Sequence, residues 1–172
     1  MKVYKKTMNV TIRPATAKDL PAILEIVNYA IAHSTAIYEE EARTPDVQAA
    51  WYEDKLTHGF PVIVAEYENR VVGFGAYGTF RQKTGYRNTV EHSVYVVNDL
   101  DGKGIGSLLL AELIRLAKVQ HFHVMIGGID ASNTGSIAFH KKFGFTVCGI
   151  CPEVGIKFGK WLDLMLMQLI LE

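Results

Sequence analysis

Val94-Tyr95-Val96-Val97-Asn98-Asp99-Leu100-Asp101-Gly102-Lys103-Gly104-Ile105-Gly106-Ser107 is the stretch whose reading decides the fold. A run rich in β-branched residues enters a glycine-rich turn. Gly102 opens a helix carrying Ile105, Leu109, Leu113 and Leu116 on one face at helical spacing. The first N–H groups of a helix lack intrahelical partners, and the helix dipole favours an anion beside them. Glycines let the backbone approach such an anion closely, and Lys103 adds a positive charge. The unit reads as a pyrophosphate site, with a plain glycine turn as the alternative.

Working back from this unit, Thr89 to Val97 is a strand, preceded by a loop from Gly78 to Asn88 rich in arginine, glycine and aromatics. Pro61 to Glu66 and Val71 to Tyr77 are apolar runs joined by Tyr67-Glu68-Asn69-Arg70, a hairpin. Thr44-Pro45-Asp46 marks a helix start, with threonine as cap, and that helix runs to about His58 before Gly59. Ser34 to Arg43 breaks periodicity and reads as a loop or short turn. A helix from about Lys18 carries Leu20, Ile23, Leu24, Val27 and Ile31 on one face, and Val10 to Pro14 is the first strand. Onward from the unit, Val124 to Ile129 is a strand and Asn133 to Lys142 a helix ended by Gly144. Phe145 to Cys151 and Trp161 to Leu171 are two last strands joined by a glycine-spaced loop. The order β-α-α-β-β-β-α-β-α-β-β combines hairpins in the first half with helical crossovers in the second. It predicts an α/β fold: a single domain over residues 10–172 with a mixed central sheet flanked by helices. Residues 1–9 read as a short N-terminal extension, within which Met8 offers an alternative start.

The chain has 172 residues, enough for one core, and Lys plus Arg balance Asp plus Glu at 18 each. A protein that neutralises many phosphates carries a basic excess, so no nucleic-acid partner is expected. The same balance argues against anchoring to acidic lipid, and no apolar run approaches the roughly 20 residues that span a bilayer. The first residues hold lysines but no apolar h-region, so no secretory signal is read and a cytoplasmic location is expected. Cys148-Gly149-Ile150-Cys151 invites a redox or metal reading. Zinc needs four ligands, and only scattered histidines such as His121 and His123 remain to supply them. A redox pair usually opens a helix, whereas this one lies on a predicted strand ahead of Pro152. Two ordinary cysteines and no metal are the expectation.

The glycine turn can be sorted by spacing. A dinucleotide site wants G-x-G-x-x-G, but the spacing here is G-x-G-x-G and it follows a hairpin sheet. A nucleotide P-loop wants G-K-[ST], and Lys103 is followed by glycine. The segment resembles instead the coenzyme A loop of the GCN5-related N-acetyltransferase superfamily, [RQ]-x-x-G-x-[GA] after a strand, matched by Gly104 and Gly106. Asp101 stands where that family carries Arg or Gln. A second motif, Asn133-Thr134-Gly135-Ser136, then Phe139-His140 and Phe143-Gly144-Phe145, resembles the superfamily's later helix and strand, with His140 in place of its usual tyrosine. Three further stretches narrow the resemblance to phosphinothricin and methionine sulfoximine N-acetyltransferases over about Val10 to Leu171. They are Thr89 to Val96, His121 to Met125, and Val154 to Leu164.

An amino acid reaches such an enzyme mostly as an ammonium, so a base must remove a proton before the nitrogen attacks a thioester. Glu91, inside the strand before the glycine turn, is expensive to bury without a purpose or a partner. A salt bridge to Arg81 or Arg87 is the simpler account. In the resembled family a glutamate here is the proposed base, acting through water. His140 reads by itself as a hydrogen-bonded core histidine. The resemblance implies a catalytic part, relaying a proton from the amine or protonating the departing thiolate. It also implies acetyl-CoA as cosubstrate, direct transfer without an acyl-enzyme, and a homodimer. Val94, Tyr95, Val96, Gly102, Lys103, Gly104, Ile105, Gly106, Ser107 and Asn133 are then the expected cofactor contacts. The Gly78–Asn88 loop, with Arg81, Thr84, Gly85, Tyr86 and Arg87, is the expected acceptor site, joined by Ala36 to Glu39. An arginine fork suits the carboxylate of a small amino-acid substrate; a solvated charged loop is the alternative.

Overall fold

The structure, a computed structural model, describes residues 8–100 and 102–172. Residues 1–7 of the expected extension and the departure at Asp101 lie outside the described residues. Met8, placed in that extension by the sequence, packs against the core.

Seven strands form one sheet in the order β1-β2-β3-β4-β5-β7-β6. The strands are β1 (Thr11–Pro14), β2 (Val62–Tyr67), β3 (Arg70–Thr79), β4 (Thr89–Val96), β5 (Val124–Asp130), β6 (Thr146–Lys157) and β7 (Lys160–Ile170). The helices are α1 (Leu20–His33), α2 (Pro45–Thr57), α3 (Ile105–Val119) and α4 (Thr134–Lys142). The element order is the one expected, and the sheet is mixed: β4 and β5 run parallel, the other pairs antiparallel.

The β2–β3 hairpin turns at Glu68 and Asn69, both with positive φ, as the right-handed twist of a two-residue turn demands. Val62-Ile63-Val64-Ala65 is apolar throughout because both faces of β2 are covered. Val62 and Val64 face α1 and α2 with Phe74 and Ala76, where Ile23, Val27 and Ile31 are fully buried. Ile63 and Ala65 face α3, whose Leu109, Leu110 and Leu113 are inaccessible to solvent. Truncating Leu113 to alanine there costs about 2–5 kcal/mol. Thr44 caps α2 as expected, accepting from Val47 N at 3.3 Å.

Two boundaries differ from expectation. α3 begins at Ile105 rather than Gly102, because Gly104 at its cap has φ 88°, a left-handed conformation that holds residues 102–104 in the turn. Ile105 itself is 1% exposed and belongs to the core. The predicted loop after Cys151 is mostly strand: β6 continues to Lys157 and turns at Phe158 and Gly159, both with positive φ. The register shifts twice, between Val147 and Gly149 and between Cys151 and Gly155, and the second bulge absorbs Pro152, which an edge strand tolerates. They also break the simple face alternation, so Cys148 and Cys151 are both exposed free thiols.

The parallel pairing decides where a site can form. β4 and β5 share only Thr89↔Val124, Val90↔Met125 and Glu91↔Ile126. Beyond Glu91 each strand continues, β4 to Val96 and β5 to Asp130, and a wedge opens between them in the middle of the sheet.

Candidate active site

The wedge is a cleft of about 370 Å³ walled by β4 from Glu91 to Tyr95, β5 from Gly127 to Asp130, α4, and the loop before α2. It adjoins a second space of about 580 Å³ along α1 and the glycine turn; Ala36, Val94, Tyr95, Asn133, Ser136 and Phe139 wall both.

Strand alternation sends successive β4 side chains to opposite faces. Glu91, Ser93 and Tyr95 pair in register with Gly78, Ala76 and Phe74, and so lie on the α1/α2 face. Glu91 is half-buried, and burial raises its carboxyl above the ordinary glutamate value, against the opposing pull of the Arg81 and Lys55 cations. Lys55, from α2, occupies the space that the missing side chain of Gly78 leaves beside Glu91. Burial lowers its own ammonium.

His92 points to the opposite face, where α4 brings His140. His140 Nδ1 lies 2.7 Å from the Ser136 carbonyl oxygen, which can only accept, so Nδ1 carries the hydrogen. In the neutral ring Nε2 is then an acceptor, and it sits 3.2 Å from His92 Nε2, which therefore donates. Both rings are buried. Desolvation lowers the pKa of each; that of His92 falls to about 3. The histidine pair is neutral at neutral pH.

Two adjacent glycines in β5 separate these groups. A Cβ on Gly127 would stand 3.1 Å from His140 Nε2 and 3.2 Å from His92 Nε2; one on Gly128 would stand 3.0 Å from Glu91 Oε1. The strand carries no side chain at the two positions where the carboxylate and the imidazoles reach in from opposite faces.

The remaining walls are tied down by polar contacts. Asn133 caps α4, its Oδ1 accepting from Ser136 N at 2.9 Å, and so sets the helix that carries His140. Asp130 accepts from Ser132 N at 2.9 Å and from the Thr35 hydroxyl, which anchors the loop before α2. Lys157, buried, donates to the Ile37 carbonyl at 2.6 Å and pins the same loop to the β6–β7 hairpin. Arg43 and Glu39 pair with each other at the cleft wall.

The structure thus brings together Glu91, His140, Val94, Tyr95 and Asn133, with Val96, Gly102 and Gly106 along the adjoining space. Lys103, Gly104 and Ser107 stand at the start of α3 but do not wall either space, and Ile105 is core. Arg81, Thr84, Gly85, Tyr86 and Arg87 are all exposed and lie outside the cleft wall. Arg81 stacks on Phe80, 5.1 Å from its ring centre, and Arg87 donates to the Thr84 carbonyl at 3.3 Å. No ion pair joins Glu91 to either arginine among the described residues; only the field of Arg81 reaches it. Residue spacing does not mark His92, Ser93, Gly127, Gly128, Ile129, Asp130 or Arg43 as wall residues. Adjacent glycines inside an apolar strand were the available signal for two of them.

Comparison with known proteins gives the family of the chain. Residues 12–166 match the acetyltransferase (GNAT) domain family. A protein of Pseudomonas aeruginosa named L-methionine sulfoximine/L-methionine sulfone acetyltransferase is 44% identical over 166 residues, 96% of each chain. Its namesake in Salmonella typhimurium is 46% identical over 162 residues, 94% of this chain and 95% of its own. Among solved structures, a GNAT superfamily phosphinothricin acetyltransferase from Sinorhizobium meliloti, in complex with acetyl-CoA, superposes with a TM-score of 0.92. It shares 36% identity and is matched over 95% of this chain and 89% of that one. The chain, with its parted central strands and the site built between them, belongs to the GNAT acetyltransferases and is an N-acetyltransferase.

Proposed function

We propose that the protein transfers the acetyl group of acetyl-CoA directly to the α-amino group of a small polar amino acid or analogue, with Glu91 as base. Methionine sulfoximine, methionine sulfone and phosphinothricin are the favoured acceptors. The observation that carries the reading is the half-buried carboxylate of Glu91, raised in pKa, at the point where β4 and β5 part. A carboxyl raised toward the working pH is matched to accepting a proton from an ammonium.

The cosubstrate lies along the free edge of β4, where backbone groups past Glu91 have no β5 partner, with its pyrophosphate at the glycine turn before α3. The substrate ammonium gives a proton to Glu91, directly or through one water. The nitrogen then attacks the thioester carbonyl carbon. A C–N bond forms, the C–S bond breaks as the tetrahedral intermediate collapses, and the thiolate takes the second proton of the nitrogen. β4 backbone N–H groups stabilise the developing oxyanion. His140 takes part as a neutral imidazole at the cleft wall, its two nitrogens held by the Ser136 carbonyl and by His92.

Two assembly features belong to the same reading. The protein is a homodimer, supported by the exposed apolar residues Val154, Ile156, Phe158 and Trp161 on the open β6–β7 edge. It works in the cytoplasm, where two exposed free thiols stay reduced. No helix among the described residues is long and apolar enough to cross a membrane. A small-molecule acceptor, with no nucleic acid and no membrane as partner, fits a cleft of this size.

Free-thiol release from acetyl-CoA tests the assignment, with methionine sulfoximine, phosphinothricin, methionine sulfone, spermidine and a short peptide as acceptors. Saturable turnover with the amino-acid analogues alone is expected. Turnover with the amine or peptide alone would refute the acceptor class and leave the transferase. Acetyl-CoA binding without turnover of any acceptor would refute the catalytic reading in favour of an acyl-CoA sensor.

A further inference from the structure

His92 has no part in the reaction as derived above, yet it is buried between β4 and α4 and contacts His140 directly. Its ring centre lies 5.1 Å from that of His140 and 5.5 Å from that of Phe145. Its Nδ1 is buried with no hydrogen-bond partner. A histidine serving only to fill space would be replaceable by an apolar ring without loss, because burying an unpaired nitrogen is costly.

The hydrogen-bond directions give it a purpose. The Ser136 carbonyl fixes the hydrogen of His140 on Nδ1, leaving Nε2 with a lone pair. His92 can satisfy that lone pair only by donating its own Nε2–H. We propose that His92 is a positioning residue for His140, its Nε2–H fixing the tautomer and the ring orientation in which His140 presents itself to the cleft. The proposal rests on the reading that His140 takes part in the reaction.

The consequence is directional. A hydrogen bond received by the lone pair stabilises the neutral ring and disfavours its protonation. If His140 gains a proton on Nε2, two N–H groups face one another unless His92 moves its hydrogen to Nδ1, where it meets no acceptor. The pair therefore resists acid more than burial alone would make either ring resist it. The other ionisable groups around the cleft are Glu91 and Tyr95 on β4, Asp130 on β5, and Glu39 and Arg43 on the loop before α2. Lys141 and Lys142 on α4 are exposed. None is hydrogen-bonded to either ring in the structure; Ser136 and the partner imidazole are the polar contacts.

The test compares His92→Phe, which keeps a ring but removes the donor, with His92→Gln, whose side-chain amide supplies an N–H at similar reach. Long-range ¹H–¹⁵N correlation spectra of the imidazoles report the His140 tautomer and its titration without relying on turnover. In the unsubstituted protein His140 is expected as the Nδ1–H tautomer, its titration lowered from that of a free imidazole by burial. In His92→Phe its titration, and the acidic limb of the kcat profile, should move up by about one pH unit, the size of one net hydrogen bond. KM for acetyl-CoA should stay unchanged, and His92→Gln should recover most of both shifts. An unchanged His140 titration in His92→Phe overturns the proposal. So does equal loss of kcat in both variants with no change in pH dependence, since that is the mark of packing alone. Full turnover by His140→Gln, while His92→Phe still shifts the His140 titration, would instead remove the catalytic reading on which the pair's role rests.

Discussion

Alanine at position 127 would put a methyl carbon 3.1 Å from Nε2 and 3.2 Å from Cδ2 of His140, and 3.2 Å from His92 Nε2. Carbon contacts relax near 3.5 Å, so the rings must retreat by about 0.3–0.4 Å. They have nowhere easy to go: His140 is enclosed by Phe139, Phe145 and His92, with ring centres 5.2, 5.3 and 5.1 Å away. Overpacking of this kind costs about 1–3 kcal/mol, offset by the ~0.4–1 kcal/mol that alanine contributes by restricting the unfolded chain. A net loss of about 1–2 kcal/mol lowers Tm by roughly 2–8 °C for a chain of this length. Gly128→Ala is the matched control. Its methyl meets Glu91 Oε1 at 3.0 Å and Leu164 Cδ1 at 3.4 Å, and the carboxylate is the far end of a flexible side chain that can yield. Its Tm should stay within about 2 °C of the parent, because the same entropic gain offsets a smaller strain. Both variants should lose kcat on the order of 10-fold, a fraction of the ~100-fold that a 1 Å misplacement costs. Thermal melts and thiol-release kinetics read the two effects separately. If Gly127→Ala melted and turned over like the parent, the packing of the two imidazoles against β5 would have no bearing on the site.

Three further outcomes follow from single contacts. Asp19 accepts from Arg13 at 2.9 Å and from Thr16 N at 2.7 Å, which hold its carboxyl down at about 2 against an ordinary 3.8. Its contribution of about 2 kcal/mol is therefore complete above pH 4 and lost as pH falls toward 2. Asp19→Asn should be less stable than the parent in urea melts at pH 7, and the difference should shrink below pH 4, to about a third by pH 2.5. Lys55 and Arg81 favour the charged form of Glu91, so Lys55→Gln should raise that carboxyl further and move the acidic limb of kcat/KM to higher pH. A limb moving the other way would show that Glu91 is not the group being titrated. Asn133→Ala removes the α4 cap and should cost about 1 kcal/mol in denaturant melts, with kcat falling because the same helix carries His140.

Much of the architecture is legible in residue spacing. Apolar runs, helical spacing and end signals together predict the seven strands and four helices in the right order, because most of these features are recorded locally. Thr44-Pro45, Gly59 and Gly144 mark ends that caps and left-handed turns create from neighbouring residues alone. The strand joined to Cys151 was cut short for the converse reason. Pro152 and the glycines at 155 and 159 look like loop residues until an edge strand with two bulges accommodates them, and a bulge depends on the partner strand.

The sequence by itself also determines which chemical groups are available: Glu91, His140, the glycine turn and the asparagine that opens α4 all stand in motifs with local spacing. Only the tertiary structure decides how they meet. The parting of β4 from β5 after Glu91, the neutral tautomer of His140, the donor from His92 and the clearance at Gly127 and Gly128 depend on residues far apart in the chain. The arginines of the Gly78–Asn88 loop are chemically apt for a carboxylate, but the tertiary structure sets them outside the cleft wall, where Arg43 stands paired with Glu39. Local sequence records what an element is and which face it buries. The environment of a side chain is set by what packs against it, and that is written in no single stretch of the chain.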